Sequence, residues 1–573
     1  MEKVSSFGCF LGLLIFLGSS AVPKNALAQP TWQWAVRESG PNVYYQSPRL
    51  TTTATGQVVS LAALTDTPNA VHRFPQQAVL TAVDSTGVVQ WRRVVGGTGA
   101  YCVVSDLKAI PGPTGGFYAL LEFAGILDLG AAGQFTSATT GTLQARDGAV
   151  VRFDATGQLQ WARHVRGQPN LSGGSNNIRL YSLAVDRDGT VWVGGRYHYA
   201  LNIAPYTFQP QHSGGTGFLA RYNATGAVLS VFPFGGFGSS RVTSIVPHPR
   251  GGVLISGGNE SPALPVGIGA FVLPLATCDF FVARFSAQMQ PEWVRSHVGA
   301  DSTTADFLGL NRDGGYFVAG HMKGNTRFGG TTFTSGGRAD TDLFVVRYDS
   351  LGQVRWAQRA ATPGRDVLSS AAFDPQGHAY LATWAGGMGH ALTIGPSTVP
   401  LVAGNGLSAV FARLTPQGAP DWVLSTADVG EEIGAAIIPD SGRAVYCAGF
   451  FTASVALGPA SLVSVNAGDY FLGRVANGQL LGRGSSPVAV GELSLYPNPA
   501  TSGQPVVVGL PAGAPEASVV ELRDALGRVV RRVVGEAGAQ TLRLEVDQLP
   551  AGLYLVEVTT GRHKTTKRLV LAP

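Results

Sequence analysis

The sequence predicts an all-β protein in two parts: a ring of seven repeated four-stranded sheets, then a small Ig-like β-sandwich. Three observations lead there. The chain holds 76 Gly in 573 residues, with 13% charged and 45% hydrophobic residues. That mix suits many tight turns, because Gly reaches positive φ without a clash. One hairpin signature recurs along most of the length, and the last stretch is a series of short alternating strands of different composition. A chain this long exceeds one ordinary core, so two or more domains are expected.

The amino end reads as a targeting segment. Lys3 precedes an apolar run from Phe7 to Gly18, followed by Ala26-Leu27-Ala28. A positive start, a short greasy stretch and small residues before the cut are the order of a secretory signal. Cleavage is expected between Ala28 and Gln29. The run is shorter than the roughly 20 residues a spanning helix needs, and no later stretch could cross a membrane. Net charge is +5, too dilute over this length to imply a nucleic-acid partner. Cys9 leaves with the signal, and Cys102, Cys278 and Cys447 remain in separate repeats. No pair of them has metal-ligand spacing, and buried inert thiols are expected.

The segment VVRFDATGQLQWARHVRG (Val150 to Gly167) recurs as LFVVRYDSLGQVRWAQRA, FFVARFSAQMQPEWVRSHVG and VFARLTPQGAPDWVLST. Equivalent positions are Trp91, Trp161, Ser230, Trp293, Trp356 and Trp422. Each copy reads as a strand, a turn begun by Asp or a substitute and carrying Gly three residues on, and a second strand bearing Trp. Asp bonds the backbone N–H groups ahead of it, and Gly takes the left-handed conformation. A second signature follows each Trp, as in DRDGTVWVGGRY (Asp186 to Tyr197), and is read as the innermost strand. A weaker strand such as ALTIGPSTV completes four per repeat. Four turn-linked strands describe a propeller blade. The Gly-turn strand occurs near Gly56, Gly116, Gly189, Gly252, Gly314, Gly377 and Gly442. The last Trp strand is supplied by TWQWAVRESG (Thr31 to Gly40), so the amino end is predicted to close a seven-bladed β-propeller and remove its open edges. The repeats resemble a bacterial beta-propeller repeat family with the pattern F-x-x-[KR]-[YF]-D-x-x-G-x-x-x-W, which implies the fold and almost nothing about activity.

Composition shifts at GRGSSPVAVGE (Gly482 to Glu492), read as a linker. The predicted division is a signal over 1–28, the propeller over 29–481, the linker over 482–492 and the terminal domain over 493–573. LSLYPNPATSG (Leu493 to Gly503), LRDALGRVV, LPAGLYLVEV and KTTKRLVL follow in order. This set resembles the type A C-terminal sorting domain of the type IX secretion system. The resemblance implies Sec export from a Gram-negative bacterium, outer-membrane passage through the type IX machinery, and a passenger that is secreted or held at the cell surface. The motif positions are Pro497, Asn498, Pro499, Gly552, Tyr554, Lys564 and Lys567. Each also has a structural use: prolines fix an extended entry, Gly552 makes a turn and Tyr554 packs in a strand.

No nucleophile elbow, zinc motif or phosphate loop occurs, and no catalytic residue, metal or cofactor is expected. Six copies carry an Arg two residues before the turn: Arg152, Arg221, Arg284, Arg347, Arg413 and Arg474. On a strand third from the axis they read as salt links within or between blades. Repeats differ most at Glu122, Arg196, Asn259, His321, Trp384 and Phe450. Placed at the end of the innermost strand, these six form a candidate axial ligand rim. The leading reading is a noncatalytic interaction module for a glycan or protein. The rival is an axial enzyme, a glycan hydrolase or lyase. DATGQLQW is also similar to quinoprotein dehydrogenase repeats, but the eight blades and adjacent cysteines usual there are missing.

Overall fold

The computed structural model describes residues 30–476 and 493–572 apart from loop segments, chiefly 66–76, 97–100, 168–176, 210–214, 235–239, 260–266, 273–279, 298–301, 336–340, 387–390, 401–406, 427–431 and 511–516. The predicted cleavage site at Ala28 and Gln29 and the linker over 482–492 lie outside the described residues. The chain divides into two compact units, 1–479 and 480–573.

The first unit is all-β. Its described residues contain seven antiparallel sheets in sequence order, each built on a run of four strands, and three of them are extended by strands of the connecting segments. In the second, Tyr101–Ala109, Phe117–Ala124, Asp147–Phe153 and Leu159–Gly167 pair in that order. The first strands of the sheets are Arg49–Thr52, Tyr101–Ala109, Arg179–Val185, Ser240–Pro247, Ser302–Leu310, Asp366–Phe373 and Glu432–Asp440. Each contacts the next, and the last contacts the first, so they form a closed circuit. In the seventh sheet the outer strand is Thr31–Glu38, antiparallel to Asp469–Ala476 with Trp34 opposite Arg474.

The hairpin signature builds the third and fourth strands as the sequence implies. Asp154 Oδ1 accepts from the Thr156 and Gln158 backbone N–H groups at 2.9 and 3.0 Å, and Gly157 has φ +75°. In the copy without glycine Met289 occupies the left-handed region at φ +65°. The reason for pairing Trp with Gly lies between sheets. A Cβ on Gly226 would stand 2.8 Å from the Trp161 ring of the preceding sheet, and one on Gly418 would stand 2.7 Å from Trp356. The indole N–H of Trp161 donates to the Ala224 carbonyl at 3.0 Å and that of Trp356 to Pro416 at 2.9 Å. Trp34 does the same to Ser85 at 2.8 Å, over Gly87. The joint that closes the ring is thus built like those at Trp161 and Trp356.

The assignment of strands within a repeat needs correcting. The Gly-turn strand is second from the axis, and the innermost strand is the stretch between Trp and that turn. The segment ALTIGPSTV forms a separate hairpin, Ala391–Ile394 with Ser397–Pro400, which reaches back to the outer strand of the preceding sheet. The innermost strands hid because six of them carry a register shift, as between Val104 and Asp106 or Leu180 and Ser182. An extra residue there breaks the alternation by which strands are recognised.

Most of the repeated arginines do make links. Arg474 pairs with Asp440 at 2.7 Å, Arg413 with Asp421 at 2.6 Å and Arg347 with Asp313 at 2.6 Å. Arg284 lies 3.6 Å from Glu292. Arg152 donates to the Ala224 carbonyl at 2.6 Å, and Arg221 lies over the Trp192 ring. Cys102 and Cys447 are buried free thiols, and burial pushes Cys102 up to about 12. The side chain of Cys278 lies outside the described residues.

The second unit has a three-stranded and a five-stranded sheet. Residues of both, including Leu493, Val506, Val520, Leu544, Tyr554 and Leu569, form one buried cluster. Among the described residues no helix is long and apolar enough to cross a membrane.

Candidate functional site

The innermost strands surround a cavity of about 490 Å³, and all seven contribute to its wall. One sector carries Arg49, Ser105, Asp106, Lys108, Tyr181, Arg241 and Thr243. The fifth sheet adds Asp306 and Phe307, and the sixth and seventh add Ser370, Ala371, Ala372, Ala436, Ile437 and Ile438. Charge is therefore concentrated on one side of the cavity and carbon on the other. Its size lies within the ordinary range for small-molecule sites, roughly 300–1,000 Å³.

Two carboxylates line it. Asp106 accepts at Oδ1 from the Leu107 N–H and Lys108 Nζ, at 2.8 and 3.0 Å. Its Oδ2 accepts from the Leu183 N–H at 2.8 Å and Ser182 Oγ at 3.3 Å. Four donors from two sheets make Asp106 a stitch between neighbours. Ser182 and Ser244 continue the stitching, accepting from the N–H groups of Ile245 and Leu308.

Asp306 is 2.5 Å from His321 Nδ1. The Leu368 N–H donates to His321 Nε2 at 2.8 Å, so that nitrogen must be unprotonated. The proton then sits on Nδ1 and points at Asp306. With both ring nitrogens engaged, His321 has no lone pair left to act as a base. Arg49 gives its Nε–H to the Ser105 carbonyl at 2.8 Å. Burial holds Arg49 below its usual range, with Asp106 opposing the shift. Burial also raises Tyr181, against the pull of Arg196 and Arg241. Among the described residues no group of three or more His, Cys, Asp or Glu side chains could hold a metal ion.

The six predicted rim positions stand elsewhere. Glu122, Arg196, Asn259, His321, Trp384 and Phe450 lie on second strands, and none lines the axial cavity. The side chains that can be followed turn into the seam toward the next sheet. Glu122 accepts from the Leu180 N–H at 2.9 Å and pairs with Arg179 at 3.0 Å. His321 makes the equivalent contact with Leu368. Phe450 is buried with Ala62 and Val79 of the first sheet and Tyr470. Arg196 and Trp384 are half-buried, and the Asn259 side chain lies outside the described residues. Variation here matches each joint to its neighbour. The cavity residues were missed because they sit on the strands that sequence periodicity did not reveal.

In the terminal unit the motif residues hold the chain entry to the final strand, His563–Ala572. Asn498 Nδ2 donates to the Arg568 carbonyl at 2.8 Å, and the Val570 N–H donates to Asn498 Oδ1 at 3.0 Å. Lys567 Nζ reaches the Leu493 carbonyl at 2.8 Å. Tyr554 is buried, with its hydroxyl donating to the Pro550 carbonyl at 2.8 Å. Pro497 is half-buried, Pro499 exposed, and Gly552 starts the strand paired with Leu571. Lys564 sits opposite Thr559, with its side chain outside the described residues.

Residues 494–572 match the family described as a secretion system C-terminal sorting domain. The chain ends in a type IX secretion sorting domain. Residues 172–197 match a family described as a two component regulator propeller, across the inner and second strands of the third sheet. The sorting domain thus follows a propeller repeat protein, and it marks the chain for export by type IX secretion to the cell surface or beyond. No curated protein matches the sequence. Among solved structures, a mitotic checkpoint complex chain is 11% identical with TM-score 0.39, over 82% of this chain and 98% of that one. A mutant puromycin hydrolase is 15% identical with TM-score 0.39, over 85% and 62%. The NanB sialidase from Streptococcus pneumoniae is 10% identical with TM-score 0.32, over 79% and 71%. None of these likenesses carries an argument about this chain.

Proposed function

We propose that the chain is a noncatalytic binding module, exported through Sec and the type IX route of a Gram-negative bacterium, that takes its ligand in the axial cavity. The mature propeller would run from Gln29 to the linker over 482–492, with the sorting domain over 493–573 as its export signal. The observation that carries this reading is the state of the two axial carboxylates. The four donors on Asp106 leave it no role as a proton donor or nucleophile. Asp306 faces a histidine whose second nitrogen is already taken. Paired acids of a glycan hydrolase need one free to donate and one free to accept.

Purified full chain should retain ligands on a glycan or protein-fragment array, and Ala372→Trp, which puts an indole on the half-buried cavity wall, should abolish retention. Turnover of fluorogenic glycosides that disappears in Asp306→Asn would overturn the noncatalytic reading. Retention unaffected by Ala372→Trp would overturn the axial site.

A further inference from the structure

The axial cavity is lopsided in a way that seven copies of one blade would not produce. Just after the bulge in six innermost strands, and at the matching position of the unbulged first, stand Arg49, Asp106, Ser182, Ser244, Phe307, Ser370 and Ala436. The first four sheets thus present charge and hydroxyl groups, the fifth adds Asp306 at its bulge, and carbon prevails in the sixth and seventh apart from Ser370. Tyr181 and Thr243 extend the polar sector at the bulges themselves, and Ala372 and Ile438 extend the apolar one. Backbone closure needs none of this asymmetry.

The charges in the polar sector are unequal in their commitments. Both carboxylates already accept from protein donors, as described above. Among the cations, Arg49 donates Nε–H to a neutral carbonyl and feels the Asp106 carboxylate, which Lys108 shares with three other donors. Arg241 lines the same wall and acts on the buried Tyr181 hydroxyl together with Arg196. A guanidinium held in a half-buried wall gains most from an anion that brings its own charge into the low-dielectric space. Opposite it, the half-buried Ala371, Ala372 and Ile438 offer a surface that favours burial of carbon.

Building on the axial reading above, we infer that the cavity takes a small amphipathic organic anion. Its acidic group lies among Arg49, Tyr181 and Arg241, and its apolar body rests on Ala371, Ala372 and Ile438. Ligands with charge alone or carbon alone use only half of the wall.

The test is a fluorescence titration of the full chain with 1-anilinonaphthalene-8-sulfonate, an amphipathic anion, beside N-phenyl-1-naphthylamine, its uncharged counterpart. One saturable anion site is expected, at least tenfold tighter than the neutral probe and displaced by octanoate but not by octanol. Arg241→Met should weaken the anion at least tenfold and leave the neutral probe unchanged, whereas Ile438→Asp, at a half-buried cavity residue, should weaken both. Displacement on the unmodified chain remains decisive if Ile438→Asp does not fold. Equal binding of the two probes, both lost in Ile438→Asp, would overturn the anion inference and leave the axial site standing. Anion binding that neither variant alters would overturn the inference and count against the axial site as well.

Discussion

Replacing Trp32 with Ala tests whether the amino-terminal strand is part of the ring or merely lies against it. Trp32 is 8% exposed. It meets Phe411 and Phe471 edge-on, at ring centroid distances of 6.3 and 6.1 Å. Phe411 belongs to the sixth sheet and Phe471 to the seventh, so the indole ties two sheets together. A buried aromatic of this size removes about 200 Å² from water, or about 5 kcal/mol at ~25 cal/mol per Å². Measured Trp-to-Ala losses run about 3–5 kcal/mol, and ~4 kcal/mol is a reasonable centre. For a unit of about 450 residues the unfolding entropy is ~0.95 kcal/mol per K, so the melting temperature should fall by about 4 °C. Trp34→Phe is the internal control. It removes the indole N–H to the Ser85 carbonyl and trims the ring that lies over Gly87, together about 2 kcal/mol or about 2 °C. Differential scanning calorimetry of the full chain reads both. A Trp32→Ala chain melting within about 1 °C of the unmodified one, with the same proteolytic resistance, would refute the reasoning.

Gly226→Ala forces a side chain into φ +82° and against the Trp161 ring, whereas Gly56→Ala at φ +78° meets nothing within 4 Å. The first should cost ~2–4 kcal/mol and the second about 1 kcal/mol, read by chemical denaturation. Glu38 accepts from the Ser60 hydroxyl, and burial raises it to about 7 against that bond and the pull of Arg92. Below the ordinary carboxylate range both folded and unfolded forms hold the proton. As pH rises from about 4.5 to about 7 the unfolded form releases it first, so stability falls across that window and levels off above it. Glu38→Gln should flatten the decline, measured as melting temperature against pH. Asn498→Ala deletes both bonds to the Arg568 and Val570 backbone, a loss of ~1–3 kcal/mol in the terminal unit. The exported fraction should drop while periplasmic chain accumulates, read by immunoblot of the two fractions.

The repeated hairpin was legible because its turn and its Trp are local devices. Asp154 bonds groups two and four residues on, and Gly157 supplies a backbone angle, so both leave a fixed-distance mark. The closing strand could be read for the same reason, since Trp34 keeps the Trp-to-Gly spacing of its counterparts. The innermost strands left no such mark. Their bulges turn two successive residues such as Ser105 and Asp106 toward one region, and their partners lie one blade away. The variability of Glu122 and His321 was visible, but its cause was not. Each caps an N–H more than 45 residues distant, Leu180 or Leu368, and such a partner has no signature beside the residue it serves. The cavity wall belongs to that hidden layer, one strand inside the positions whose variation stands out among the repeats.

The outer strand of the seventh sheet has a consequence for biogenesis. Thr31–Glu38 and its partner Asp469–Ala476 stand at opposite ends of the propeller sequence. Until the carboxyl end of the array arrives, the early strand has no lawful place to go, and no half-built circle can be sealed. Sealing is therefore a long-range step, the kind that loop-closure entropy makes slow.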